Sequence, residues 1–218
     1  MKQIDSEKKL DRLKIDKLLK TIYSNNTTEE INFISNQLLQ ILDDFSEKSA
    51  YEEIRDKERW NESHSVLITY ADSIYKNGEA TLITLRKLLS KHFGSLSKVV
   101  HILPFLKSTS DGGFAVSSYD SLEEKFGGWD DLKSISKNHD LMADLVLNHV
   151  SSSHPWVQQF IKSQEPGISN VFSPKQNLDW SNVVRPRSSS LFSQINTDDG
   201  PKQVWTTFGP DQIDLNWH

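Results

Sequence analysis

Apolar residues recur at helical spacing from the start of the chain to about residue 62. A capping box of Thr27 and Glu30 precedes the second apolar stripe, and a capping box of Ser49 and Glu52 precedes a third segment. The first stripe holds Leu10, Leu13, Leu18, Leu19 and Ile22, and the second holds Ile31, Ile34, Leu38, Ile41, Leu42 and Phe45. This pattern predicts three helices, whose apolar faces either dock a partner or pack against the rest of the fold.

From Ser65 onward, short apolar runs alternate with segments of helical period. Alternation of strands and helices is typical of a parallel sheet with right-handed crossover connections. The pattern becomes irregular after His149, and irregular stretches of this length in a compact domain are usually functional or disordered. Strands are predicted at residues 65–70, 99–103, 141–147 and 203–208, and helices at residues 82–93, 130–137 and 155–161.

The stretch from Lys98 to Trp129 is the centre of this pattern. Its apolar run at residues 99–103 is stopped by Pro104, which offers no N–H to a sheet ladder. The loop that follows contains the acid–glycine–glycine–aromatic sequence of residues 111–114. Because ligands bind beyond the carboxyl ends of strands in parallel sheets, this stretch predicts a central strand that delivers a polar loop to a site. The alternative is a strand followed by an ordinary surface loop.

The third predicted strand leads into a group of polar residues. Asp144 and Asn148 are four residues apart and would point to the same side of a strand, and His149 follows just past its end. The spacing of His149 and His154 matches no standard zinc pattern, so no metal site is predicted. The serines at 151–153 lack the strand–turn–helix elbow of a Gly-x-Ser-x-Gly nucleophile and are not predicted to attack a substrate.

The composition mainly excludes certain compartments and classes of partner. The 218 residues include no cysteine, which excludes disulfides and fits a reducing compartment, so we expect a cytoplasmic protein. The formal net charge of −5 argues against nucleic acid as the main partner. No apolar run approaches the roughly 20 residues that span a bilayer, and no signal-peptide pattern is visible, so we expect no membrane partner.

Seven short segments, taken together and in order, resemble the sucrose-phosphorylase branch of the α-amylase superfamily of glycoside hydrolases. The helical preface and the last of these segments are more similar to the phosphorylases of glucosylglycerate and related glucosides than to the shorter sucrose enzymes. The segments are LITYAD at 67–72, HILPF at 101–105, DGGF at 111–114, GWDD at 128–131, DLVLNHV at 144–150, RPR at 185–187 and VWTTFGPDQIDLN at 204–216.

The resemblance implies an α/β fold, an incomplete (β/α)8 TIM barrel that holds the first three strands. Residues 1–62 would form an N-terminal helical extension, and residues 63–150 would form the first three β/α units of the catalytic barrel. Residues 151–218 would be a small domain inserted after strand three, and the chain would end before strand four.

Carried over position by position, the resemblance implies a subsite for the glucosyl unit of the donor. Asp111 would hydrogen-bond hydroxyls of this glucose, Phe114 would flank it, and His149 would contact its 6-hydroxyl. Phe208 and Gln212 would line the subsite from the inserted domain.

Arg187 would lie near the acceptor, where phosphate or the leaving group sits. A guanidinium suits phosphate because it forms a bidentate, charge-assisted pair. Many relatives carry a second acid directly after the aspartate that matches Asp111, whereas this chain has Gly112. The identity of the acceptor therefore stays open.

The implied reaction is retaining glucosyl transfer from sucrose or a related α-glucoside to inorganic phosphate, without a cofactor or metal. Such transfer needs a nucleophilic carboxylate and an acid/base carboxylate about 5–5.5 Å apart. The resemblance places both after later strands, so we expect them beyond His218 and predict no catalytic residue in this chain. A full barrel takes roughly 250 residues before insertions, which leads to the same expectation.

Three hypotheses follow for the chain as a whole. It is the N-terminal portion of an α-glucoside phosphorylase, or one half of an enzyme completed by a second chain with strands four to eight, or a non-catalytic sugar-binding or regulatory remnant. In the isolated chain the third strand would have an open edge near Leu145 and Leu147. We therefore expect the isolated chain to be poorly stable or to bind something that covers this edge.

Overall fold

The computed structural model describes residues 2–48, 65–94, 96–174, 179–185 and 187–217. The chain divides into two compact units, residues 1–59 and residues 60–217. The predicted third helix, its Ser49–Glu52 capping box and the side chain of Leu10 lie outside what is described.

The first unit contains two helices that pack against each other, α1 (Lys2–Ile22) and α2 (Thr28–Lys48). The predicted capping box at the start of α2 is confirmed, because Thr27 N donates to Glu30 Oε2 at 2.7 Å and Glu30 N donates to Thr27 Oγ1 at 3.3 Å. Leu19 and Ile31 are buried. The stripe residues that remain exposed are Leu13, Leu18, Ile22, Leu38, Ile41, Leu42 and Phe45. A partner for these faces stays a prediction.

The second unit combines a parallel sheet with antiparallel strand pairs. Its helices are α3 (Thr81–Leu88), continued by a π-helical turn at Leu89–Phe93, then α4 (Trp129–Ser136), α5 (Pro155–Ile161) and α6 (Gly167–Asn170). Its strands are β1 (Val66–Thr69), β2 (Val99–Ile102), β3 (Asp140–Ala143), β4 (His149–Ser151), β5 (Phe192–Thr197), β6 (Gly200–Trp205) and β7 (Gln212–Asp214).

β1, β2 and β3 form the parallel sheet that the alternating pattern predicted, with β2 in the centre. β3 is shorter than the predicted strand because its ladder partner β2 ends at Ile102, which lies opposite Ala143. Asp144 and Asn148 therefore follow the strand. The prediction that strand geometry points them to the same side was wrong.

The two faces of the parallel sheet differ in how well they are covered. α3 and α4 pack on one face, where Val100 and Ile102 are fully buried. This core also contains Ala71, Leu82, Leu85, Leu89, Leu122, Phe126, Leu132 and Ile135. Ile68 and Met142 share the other face because both are register partners of His101, and both are exposed.

The chain after β3 folds into antiparallel pairs, β4 with β7 and β5 with β6. The strand predicted at residues 203–208 is β6, and α5 has the predicted bounds. β5 was missed because its sequence, FSQINT, places only two apolar residues among polar ones. A second core joins these elements and holds Val150, Val157, Phe160, Val171, Val204, Ile213 and Leu215. Across the described residues, no helix has both the length and the apolar character that a membrane crossing requires.

Candidate functional site

The loop after β2 makes a tight turn that presents Asp111. Asp111 has a φ of 54°, Gly112 of 60° and Gly113 of 104°, all in the left-handed region that favours glycine. A Cβ at Gly113 would lie 2.2 Å from the carbonyl oxygen of Pro104, so this position accepts only glycine. At Gly112, a Cβ would lie 3.3 Å from the ring of Tyr70. Backbone sterics therefore require the glycine at position 113, whereas the Tyr70 ring crowds the space beside Gly112.

The pairing of β4 with β7 brings two predicted site residues to this turn. His149 on β4 lies opposite Asp214 on β7, and Gln212 lies at the other end of β7. Gln212 Nε2 donates to Asp111 Oδ2 at 2.9 Å, and the same nitrogen lies 3.2 Å from His149 Nε2. His149 and Gln212 are buried, whereas Asp111 is exposed. The turn and the strand pair thus form one polar cluster, joined by the Gln212–Asp111 hydrogen bond and open to solvent at Asp111.

The hydrogen bonds of His149 determine its tautomer. Its Nε2 lies 3.0 Å from the Phe114 carbonyl oxygen, which can only accept, so Nε2 carries the proton. Its Nδ1 then accepts from Asn148 Nδ2 at 3.4 Å. Burial lowers the pKa of His149 below its ordinary value, although the Phe114 carbonyl and the carboxylates of Asp214 and Asp111 act in the opposite direction. The ring is therefore neutral near pH 7 and offers an N–H donor.

Phe208 and Arg187 extend the cluster on one side. The Phe208 ring lies 5.1 Å from the His149 ring, with their planes tilted by 50°. The Arg187 guanidinium lies 5.8 Å from the centre of the Phe208 ring, within the range of a cation–π contact. Arg187 is exposed, so its charge faces solvent beside the aromatic surface.

The turn that carries Phe208 is held by a buried carboxylate. Asp214 accepts from Thr207 N at 3.1 Å and from Thr207 Oγ1 at 2.6 Å. Arg185 Nη1 donates to the Thr207 carbonyl at 2.7 Å on the other side of the same residue. Arg185 therefore fixes the backbone next to Phe208, whereas Arg187 keeps its guanidinium exposed.

The structure places Asp111, Phe114, His149, Phe208 and Gln212 around one cluster, and Arg187 reaches it through Phe208. Sequence reasoning missed Tyr70, Asp211 and Asp214. The signal for Asp211 and Asp214 was their position on either side of Gln212 and Ile213, in the segment that carried the resemblance.

The other polar residues singled out from the sequence have structural partners. Asp144 Oδ2 lies 2.8 Å from His101 Nε2. His154 Nδ1 accepts from Trp156 N at 3.2 Å and so caps α5, while Ser151 and Ser152 bond to Asp211. Within the described ranges, no group of three or more His, Cys, Asp or Glu side chains is placed to hold a metal ion.

A polar cavity of about 320 Å³ lies on the Tyr70 side of the same turn. Its walls include Asp72 and Lys125, which form an ion pair at 2.7 Å, and Glu123, which accepts from Ser108 N at 2.8 Å. His149, Gln212 and Phe208 do not line it. The cavity and the polar cluster therefore share only the turn.

Comparison with known proteins defines the class to which this fold belongs. Residues 92–218 match the family of the alpha amylase catalytic domain, and the chain therefore belongs to this family. The resemblance inferred from the seven segments is confirmed, and so is the superfamily of the fold.

Particular relatives within the family are glucoside phosphorylases. The chain is 42% identical over 158 residues to the glucosylglycerate phosphorylase of Allomeiothermus silvanus, covering 72% of this chain and 28% of that protein. It is 32% identical over 163 residues to the sucrose phosphorylase of Streptococcus mutans, covering 70% of this chain and 33% of that protein. The crystal structure of sucrose 6F-phosphate phosphorylase from Thermoanaerobacter thermosaccharolyticum superposes with a TM-score of 0.62 at 33% identity, over 70% of this chain and 33% of that one. The chain thus spans about a third of these relatives or less.

Proposed function

We propose that this chain is the glucosyl-binding N-terminal portion of an α-glucoside phosphorylase. The observation that carries the proposal is the cluster in which Gln212 bonds to Asp111 and touches His149 beside Phe208. Family membership and the identity to glucosylglycerate phosphorylase support it. On this proposal β1 to β3 are the first strands of an incomplete (β/α)8 barrel, and residues 151–218 are its inserted domain.

The cluster offers the groups that a glucosyl unit needs. The exposed carboxylate of Asp111 accepts hydrogen bonds from sugar hydroxyls, and Gln212 holds that carboxylate in place. The neutral His149 ring has one N–H, at Nε2, and the 6-hydroxyl would share it with the Phe114 carbonyl as a second acceptor. Phe114 and Phe208 flank the sugar, since aromatic side chains combine apolar faces with nearby polar groups in ligand sites.

Arg187 is the acceptor-side residue of the proposal. Its guanidinium is exposed and lies against Phe208. It can therefore exchange water for a phosphate oxygen without breaking a buried contact. Phosphate is the acceptor that the phosphorylase relatives suggest, and a guanidinium can bind it through two parallel N–H donors.

The uncovered face of the parallel sheet gives this proposal a second part. Parallel sheets are almost always covered on both faces, yet Val66 and Ile68 on β1 and Met142 on β3 are exposed. Leu145 and Leu147, which follow β3 in the chain, are exposed as well. Strands four to eight of the barrel, on a longer polypeptide or on a complementing chain, would cover these side chains and supply the nucleophile and the acid/base carboxylate.

A binding measurement tests the sugar site. Titration calorimetry of the 218-residue chain with glucosylglycerate, sucrose and glucose is expected to show weak binding, and Asp111→Ala and His149→Ala are expected to abolish it. Asp198→Ala, a change of the same kind at an exposed turn, should leave binding intact. Absence of binding to all three sugars contradicts the proposal and favours a remnant that has lost the site.

A complementation assay tests the missing part. The chain alone is expected to release no glucose 1-phosphate from sucrose or glucosylglycerate in the presence of phosphate. Co-expression with the remaining segment of the Allomeiothermus silvanus enzyme should restore phosphorolysis. It should also slow the hydrogen exchange of the backbone amides of β1 around Ile68. Turnover by the chain alone would contradict the assignment of catalysis to later strands.

A further inference from the structure

Asp211 lies immediately before β7 and accepts hydrogen bonds from two loops. Its Oδ2 accepts from Thr109 Oγ1 and from Ser110 Oγ, each at 2.6 Å. Its Oδ1 accepts from Ser152 N at 3.1 Å and from Ser152 Oγ at 2.5 Å. One carboxylate therefore joins the loop after β2 to the loop after β4.

The first of these loops is the one that presents Asp111 in a left-handed conformation, with a φ of 54°. Such a conformation is strained for a residue other than glycine and persists only where the surroundings hold it. Ser110, the residue before it, is held by Asp211, and Gln212, the residue after Asp211, bonds to the Asp111 carboxylate. Two consecutive residues at the start of β7 thus hold the backbone and the side chain of the same turn.

We infer that Asp211 is the positioning residue of the sugar site, which sets the turn so that the Asp111 carboxylate faces the glucosyl unit. This inference rests on the proposed function. It adds a residue that touches no sugar and acts through Ser110 and Thr109. Because both loops meet at its carboxylate, Asp211 also fixes the distance between the Asp111 turn and the strand that carries His149.

The ionisation of Asp211 is consistent with this role. Burial raises the pKa of its carboxyl, but hydrogen bonds from Ser110, Ser152 and Thr109 lower it by more, so the pKa lies below its ordinary value. The group is therefore charged at neutral pH, and hydrogen bonds to charged acceptors are stronger than those between neutral groups.

Three variants separate positioning from general stability. Asp211→Ala removes all the acceptors, whereas Asp211→Asn keeps one oxygen for Ser152 N, and the Thr109 and Ser110 hydroxyls can turn to accept from its amide. Ser110→Ala removes one donor only. We expect sugar affinity to fall about tenfold for Asp211→Ala and about threefold for Asp211→Asn and Ser110→Ala. Asp198→Ala is the matched control and should leave affinity unchanged.

Hydrogen exchange of the sugar-free chain gives a readout that does not depend on binding. Amides at residues 109–115 should exchange faster in Asp211→Ala, while amides of β2 should keep their wild-type rates. Partial recovery of both affinity and protection in Asp211→Asn would support the inference. If Asp211→Ala disrupts the fold, the smaller change Ser110→Ala carries the same test.

The outcomes distinguish this inference from the proposed function. Unchanged affinity and unchanged exchange at residues 109–115 in the Asp211 and Ser110 variants would overturn the positioning role while leaving the sugar site in place. If the wild-type chain binds no sugar, the proposed function fails, and the exchange rates alone then decide whether Asp211 holds the turn.

Discussion

The polar cluster and the parallel sheet differ in how many of their interaction partners lie within the described residues. In the cluster, Asp111, His149 and Gln212 all have hydrogen-bond partners from within residues 109–214. In the sheet, one face is packed by α3 and α4, while Ile68 and Met142 on the other face are exposed. Within the described residues, the polar cluster therefore has its partners, whereas part of the apolar surface of the sheet is uncovered.

This difference reflects how many neighbours each kind of interaction requires. A hydrogen bond needs only one partner of the right kind, and the loops after β2 and β4 supply partners to β7 over short distances. Burial of the apolar surface of a sheet stabilises the fold in proportion to the area removed from water, so it requires a whole layer of neighbouring side chains. The polar cluster can therefore be formed by a few loops and one strand pair, whereas the exposed face of the sheet requires a further layer of neighbours.

A pair of isoleucines on neighbouring strands tests the contrast most strongly. Ile102 on β2 is 1% exposed and Ile68 on β1 is 60% exposed. Ile102→Ala should lower the free energy of unfolding by about 2–5 kcal/mol, because it removes buried methyl groups and leaves a cavity. Ile68→Ala should cost less than about 1 kcal/mol in the isolated chain. Urea denaturation followed by circular dichroism measures both values.

Equal costs at the two positions would contradict the contrast, since they would show that Ile68 is covered in solution. Sedimentation at rising protein concentration then distinguishes a second copy from a stable monomer. If complementation succeeds, Ile68→Ala should cost far more in the assembled enzyme than in the isolated chain.

Glycine positions test the rigidity of the polar cluster. Gly113→Ala should lower the free energy of unfolding by about 3 kcal/mol, because Gly113 has a φ of 104° and a Cβ there would strike the Pro104 carbonyl. Gly78 has a φ of 76° with open space around it, so Gly78→Ala is the matched control and should cost about 1 kcal/mol. The same urea titration gives both numbers.

A small difference between Gly113→Ala and Gly78→Ala would show that the turn moves freely away from Pro104. Such a turn could not present Asp111 in one orientation, and the proposed sugar site would lose its geometric basis. A large difference, with sugar binding lost in Gly113→Ala alone, would connect the rigidity of the turn to its function.

The sequence predicted the parallel sheet well because its signal is local. Buried strands such as 99–103 are short apolar runs, and α3 and α4 keep helical period. The length of β3 was misjudged, since a strand ends where its neighbour ends, and that depends on β2 rather than on the residues 144–147 themselves.

The candidate site was predictable only through resemblance. Gln212 and Asp111 are 101 positions apart, and no local period connects them. Asp211 was missed for the same reason, because its partners Thr109, Ser110 and Ser152 lie on other segments of the chain. Chemistry assembled by loops leaves little local pattern, whereas an apolar core leaves a strong one.

Acidification tests the cluster through His149, with the smallest expected effect. Burial lowers the pKa of His149 and of His154 below the ordinary value, whereas in the unfolded chain both titrate near pH 6.5. The unfolded chain therefore takes up protons first as the pH falls, so stability is full above about pH 6.5 and decreases below it. Urea midpoints for the 60–217 unit should fall between about pH 7.5 and about pH 5.5. The urea midpoint of His149→Gln should change less over this pH range, because one of the two buried rings is gone. A wild-type midpoint that rises on acidification would show that His149 is charged and paired in the folded state.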